Sequence, residues 1–160
     1  MKRVWLAGMI AVLALSACGS GAASVVRPKV PTPGKPVPAA AISRLTVIAE
    51  RAIAANGGKS VAWATAVVTT HAKALTSATP GDTEPAGGNT IVYLLTIKGQ
   101  FVCHACSGPP GSKAPTGTYL SMVLDAKTFS GTDFGLSPKE PAVSPSSLGP
   151  VTYLHVHSAK

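Results

Sequence analysis

Thr90-Ile91-Val92-Tyr93-Leu94-Leu95-Thr96-Ile97-Lys98-Gly99-Gln100-Phe101-Val102 is the stretch that decides the fold of this 160-residue chain. Its β-branched and aromatic side chains follow one another almost without a polar break. That pattern predicts a strand buried on both faces or central in a sheet, because an edge or half-exposed strand alternates apolar with polar. Gly99 interrupts the run near its end and predicts a bulge.

Working outward, residues 41–56 place Ile42, Leu45, Ile48, Ala49, Ala52 and Ile53 at spacings of three and four, with Arg44, Glu50 and Arg51 off the stripe. This predicts an amphipathic helix, stopped by Asn56-Gly57-Gly58. Residues 60–75 carry Val61, Trp63, Thr65, Val67, Thr69 and His71 on one parity and mostly alanine on the other. The β-branched density argues for a strand, although the alanines would also suit a helix. Glycine and proline predict loops at 79–89 and 107–117. Residues 118–126 alternate Tyr119, Ser121 and Val123 against Leu120, Met122 and Leu124, then turn at Lys127-Thr128 into a short segment with Phe129 and Phe134. Residues 151–157 alternate again and either close the sheet or lie on its edge. The serines between Pro141 and Ser147 read as linker. The expected architecture is α+β: one N-terminal helix packed on a small antiparallel sheet of three to four strands, within one domain over residues 40–157.

Ahead of that domain the composition changes twice. Lys2 and Arg3 precede an apolar run from Val4 to Leu15, which ends in Leu15-Ser16-Ala17-Cys18. The run is too short to span the roughly 30 Å of a bilayer core comfortably, and an ordinary secretory signal requires no cysteine after its small residues. The pattern resembles the lipobox of bacterial lipoprotein signal peptides. That resemblance implies cleavage after residue 17, a lipid-carrying Cys18 with two or three acyl chains, and residence on the outer face of the cell membrane. Two chains suffice for a stable anchor at about 0.8 kcal/mol per buried CH₂. Residues 18–39, with Pro28, Pro31, Pro33, Pro36 and Pro38, read as an unpacked tether in extended polyproline conformation.

The formal charge is +8, and removing Lys2 and Arg3 leaves +6. The remaining cations are dispersed: Arg27, Lys29 and Lys35 lie in the tether, while Arg44, Lys73, Lys98 and Lys139 stand apart. A nucleic-acid-binding chain clusters its cations with aromatics, so no nucleic-acid partner is expected. A thinly basic surface near an anchor suits anionic lipid headgroups or plain solvation. High alanine, glycine and proline with few aromatics is typical of GC-rich bacteria, actinobacteria among them.

The order helix, strand, strand, strand, with Asp125-Ala126-Lys127-Thr128 at the turn and Gly131 after it, resembles the PepSY-type and cystatin-like exported modules over residues 40–136. Those families often place a glycine directly after the threonine, where this chain has Phe129. The resemblance implies a non-enzymatic binding or regulatory module and carries over no catalytic residue.

Cys103-His104-Ala105-Cys106 is the sharpest local motif beyond residue 18, and its pair suits a local disulfide, a redox centre or half a zinc site. A redox cysteine needs a helix N-terminus to lower its pKa, yet Ser107-Gly108-Pro109-Pro110-Gly111 follows as a loop. Zinc would require His155 and His157 to join the pair, which happens only if the last strand lies beside the end of the Val92 strand. His71 stands alone on its expected strand. The acids Glu50, Asp82, Glu84, Asp125, Asp133 and Glu140 are scattered, without a paired acid and base. No nucleophile elbow, phosphate loop or dinucleotide fingerprint occurs in the sequence.

The sequence therefore predicts a lipid-anchored exported protein that binds rather than catalyses, without a cofactor. Its partner would be an envelope protein or a small molecule held between helix and sheet or at the loops around Cys103 and Lys113. The alternative is a thiol- or metal-handling protein using Cys103 and Cys106.

Overall fold

The computed structural model describes residues 30–78, 88–106 and 111–157, so the lipobox-like segment and Cys18 lie outside the described residues. Helix α1 (Ala39–Ala55) buries Ala41, Leu45, Ala49, Ala52 and Ile53, the stripe expected from their spacing. Its end is a complete Schellman motif. The Gly58 amide donates to the Ile53 carbonyl and the Gly57 amide to that of Ala54, with Gly57 at φ +55°.

Strand β1 (Lys59–Thr70) leads directly into helix α2 (His71–Ala78), so the long strand expected over residues 60–75 is divided. The β-branched series Val67-Val68-Thr69-Thr70 stops at His71, and Ala72-Lys73-Ala74-Leu75 prefers a helix. Strand β2 (Ile91–Val102) follows, then β3 (Thr116–Asp125) and β4 (Gly131–Ser137). A short helix α3 (Pro145–Leu148) and strand β5 (Thr152–Leu154) complete the fold. The sheet is antiparallel with the order β4-β3-β2-β1-β5. It has five strands, where the sequence suggested three to four and only one helix. The α+β class holds, β2 is central, and β5 is an edge strand beside β1.

The expected bulge is present. Between Lys98 and Phe101 strand β2 advances one residue more than its partner, which advances only from Tyr119 to Gly117, and Gly99 falls in that interval.

Helix α1 covers one face of the sheet, where Ala64, Ala66, Val68, Tyr93, Leu95, Ile97, Leu120 and Leu124 form the main core. The opposite face is covered at one end by α2 and α3, whose Ala74, Ala78 and Leu148 meet Val92, Leu94 and Val123. Because β4 and β5 are at opposite edges, residues 138–151 must cross this second face as a strap. The Ser77 hydroxyl pins it, donating to the Val143 carbonyl at 2.7 Å. The serines read as linker stitch the strap's one helical turn: the Ser147 amide and hydroxyl both donate to the Ser144 carbonyl.

Packing also begins earlier than composition suggested. Val37 is only 6% exposed and belongs to the main core, and the Gly34 amide donates to the Val68 carbonyl at 3.2 Å. The last residues of the proline-rich stretch are therefore seated on the body. An apolar side chain beside Pro36 and Pro38 suffices to dock a chain that makes no hydrogen-bonded structure of its own.

Candidate functional site

Strand register arranges the second face in transverse rows. One row runs Trp63, Lys98, Tyr119, Ser137 across β1 to β4, and the next runs Tyr153, Thr65, Thr96, Ser121, Gly135 from β5 to β4. The following row, Val67, Leu94, Val123 and Asp133, begins the apolar end beneath α2 and α3. Only the first two rows combine aromatic rings, hydroxyls and an amine.

The Trp63 and Tyr119 rings meet edge-on, 6.2 Å between centroids, and Lys98 Nζ lies 5.5 Å from the centre of the Tyr119 ring. Tyr153 is 68% exposed at the sheet edge. The Thr65 hydroxyl donates to the Thr96 carbonyl at 3.3 Å, while Thr96 Oγ1, at 0% residue exposure, has no hydrogen-bond partner among the described residues. A buried hydroxyl without a partner is costly and uncommon in a folded protein.

Two small chambers open between these rows and the strap. One, of about 150 Å³, is lined by Trp63, Thr65 and Tyr153 from the sheet and by Glu140, Ser144 and Pro145 from the strap. The other, of about 240 Å³, is bounded by Tyr119, Ser121, Gly135 and Ser137 below and Lys139 and Glu140 above. Glu140 borders both.

The residues singled out from sequence fall elsewhere. Cys103 and Cys106 are joined in a disulfide, with Cα atoms 5.4 Å apart. The pair sits in a turn after β2, and no helix N-terminus faces either sulfur to activate it. The juxtaposition required for zinc does not form, because β5 pairs with β1 at Ala64–Ala66 rather than with β2. His155 and His157 therefore continue along β1, where the His157 amide donates to the Glu50 carboxylate at 3.3 Å. Among the described residues no group of three or more His, Cys, Asp or Glu side chains is placed to hold a metal.

The space expected between helix and sheet is filled by core side chains. Near the Cys103 loop there is a hollow of about 440 Å³ lined by Lys59, Gln100, Phe101, Val102, Thr116 and Gly117, but neither Cys103 nor Lys113 lines it.

His71 is not alone. It opens α2, is 7% exposed, and its Nε2 lies 2.7 Å from Asp133 Oδ2 on β4. The pair links α2 to the sheet edge, a structural role that the expected strand assignment concealed.

At the turn after β3, Asp125 Oδ1 accepts from the Thr128 amide at 2.7 Å, the Lys127 amide at 3.0 Å and the Thr128 hydroxyl at 2.9 Å. The Thr128 amide above all holds this carboxyl below its ordinary range, and the neighbouring hydroxyl and Lys127 add to it against a small opposing effect of burial. Phe129 follows at φ +64°, the left-handed conformation that glycine adopts without penalty. Its ring stacks on Tyr93 at 5.3 Å and carries the Arg44 guanidinium 4.3 Å above it.

Trp63, Lys98, Tyr119 and Tyr153 were not recognised as a site from the sequence. Their signal is parity: Trp63 and Thr65, Thr96 and Lys98, and Tyr119 and Ser121 each share one face of their strand.

The chain matches no protein family, no curated protein and no solved structure. Among the described residues no helix is long and apolar enough to cross a membrane.

Proposed function

We propose that this chain is a lipid-anchored, exported binding protein that presents the strap-covered aromatic face to a ligand and performs no catalysis. The export half stands on one sequence observation, a cysteine directly after Leu15-Ser16-Ala17 at the end of a short charged and apolar leader. Two or three acyl chains on Cys18 would hold the body at the membrane surface. The proline-rich residues up to Gly34 would span up to about 50 Å at ~3.1 Å per residue. A bridged Cys103–Cys106 pair suits an oxidising compartment outside the cytosol.

The binding half stands on the second face. Aromatic rings, hydroxyls and an amine converge there in two adjacent rows, and the strap leaves chambers above them. A concave surface with a few convergent polar groups is the usual form of a ligand site. The helix-on-sheet layering and the Asp125 turn agree with the non-enzymatic character implied by the PepSY-type and cystatin-like resemblance.

Detergent phase partition of the full chain and of Cys18→Ser, expressed in a bacterium, tests the anchor. The parent chain should enter the detergent phase and the variant the aqueous phase. Equal partition of the two would refute the lipid attachment.

A further inference from the structure

The strap-covered chambers show their chemistry in three independent features. First, Trp63 and Tyr153 line one chamber and Tyr119 the other, so each offers an aromatic ring to a flat ligand with apolar C–H groups. Second, the polar groups around these rings are mostly hydroxyls: Thr65 and Ser144 in one chamber, Ser121 and Ser137 in the other. The unpartnered Thr96 Oγ1 stands in the row between Thr65 and Ser121. A hydroxyl both donates and accepts, and so matches the hydroxyls of a sugar ring. Third, among the described residues the charges at the site, Lys98, Lys139 and Glu140, form no ion pair; the only ion pair there joins His71 to Asp133. Lys98 is partly buried against Tyr119, where an anionic ligand would compensate its charge.

We propose that this face binds a glycan bearing a carboxylate, one pyranose ring in each chamber on either side of Glu140, with the carboxylate at Lys98. Each chamber is smaller than the roughly 300–1,000 Å³ of a site for a drug-sized ligand, as a binding position for a single sugar ring should be. The assignment rests on the binding face described above and names the ligand class it takes. A polyproline peptide would need a continuous apolar groove, whereas hydroxyls and unpaired charges interrupt this one.

The test uses intrinsic fluorescence, because the chain has two tryptophans, Trp5 and Trp63. Replacing Trp5→Phe in the full chain, held in detergent micelles, leaves Trp63 as the only indole. The disaccharide of N-acetylglucosamine and N-acetylmuramic acid, which carries a lactyl carboxylate, is titrated against it. A saturable change in Trp63 emission is expected, with affinity reduced about tenfold by Tyr153→Ala, by Lys98→Met and by esterifying the carboxylate. Tyr153 is exposed, so its variant tests the contact without endangering the fold.

No change in emission up to about 10 mM disaccharide, beyond the weak end of the usual affinity range, would overturn the glycan assignment. So would binding that Tyr153→Ala leaves intact. A response to a peptide of residues 26–38 without one to the disaccharide would overturn it as well, yet retain the face as a site. Phase partition of the same preparation reports the anchor separately.

Discussion

Phe129 should be a site where glycine is tolerated better than alanine, although both remove the same ring. The residue is 8% exposed, stacked on Tyr93 and covered by Arg44, which also donates to the Thr128 carbonyl at 3.1 Å. Truncating such a phenylalanine to alanine costs about 3–5 kcal/mol. At φ +64° an L residue also carries a conformational penalty of about 1–2 kcal/mol, which alanine retains and glycine removes. Phe129→Ala should therefore lose about 3–5 kcal/mol and Phe129→Gly only about 2–3 kcal/mol. With a urea slope of about 1–3 kcal/mol per molar, either variant moves the midpoint by about 1 M or more, and the glycine variant unfolds later. Urea titration of the full chain in micelles, followed by circular dichroism, measures both. Equal midpoints, or alanine above glycine, would refute the claim that ring packing holds this backbone in a conformation it otherwise resists.

Other positions give equally direct outcomes. A Cβ at Gly58 would lie 2.6 Å from Ile53 Cγ2 and 2.8 Å from the Ile53 carbonyl oxygen, so Gly58→Ala should destabilise by about 1–3 kcal/mol in the same titration. Thr96→Val removes the buried hydroxyl that lacks a partner, and the urea midpoint should hold or rise by up to about 1 kcal/mol equivalent. The lowered pKa of Asp125 stabilises the fold above the carboxyl's unfolded value of about 3.9, and that contribution is lost as pH falls through the lower folded value. Asp125→Asn should accordingly flatten the acid limb of stability measured between about pH 5 and 2, at a cost of about 1 kcal/mol at neutral pH.

The central strand, the helix stripe, the Gly57 stop and the Gly99 bulge were legible because each depends on local sequence: burial on both faces, a three-to-four spacing, a left-handed residue, a break in a strand. The division at His71 was not, since Val67 to Thr70 and the alanines after them change preference within a few residues. Strands β4 and β5 are short and weakly patterned, with Gly131, Gly135 and an exposed Phe134, and only pairing with β3 and β1 defines them. The chambers depend on strand order, which places β4 and β5 at opposite edges and forces residues 138–151 over the second face. No local pattern encodes that crossing. The cysteine motif attracted attention through its spacing, but its neighbours in space are a turn and a hollow rather than a helix or a pair of histidines.

Intact-mass analysis of the protein extracted from bacterial membranes tests the central claim most directly. The account expects a chain beginning at Cys18, carrying two or three acyl groups and lacking two hydrogens at Cys103 and Cys106. A mass corresponding to an unmodified chain from Met1, or to a processed chain without acyl groups, would contradict it.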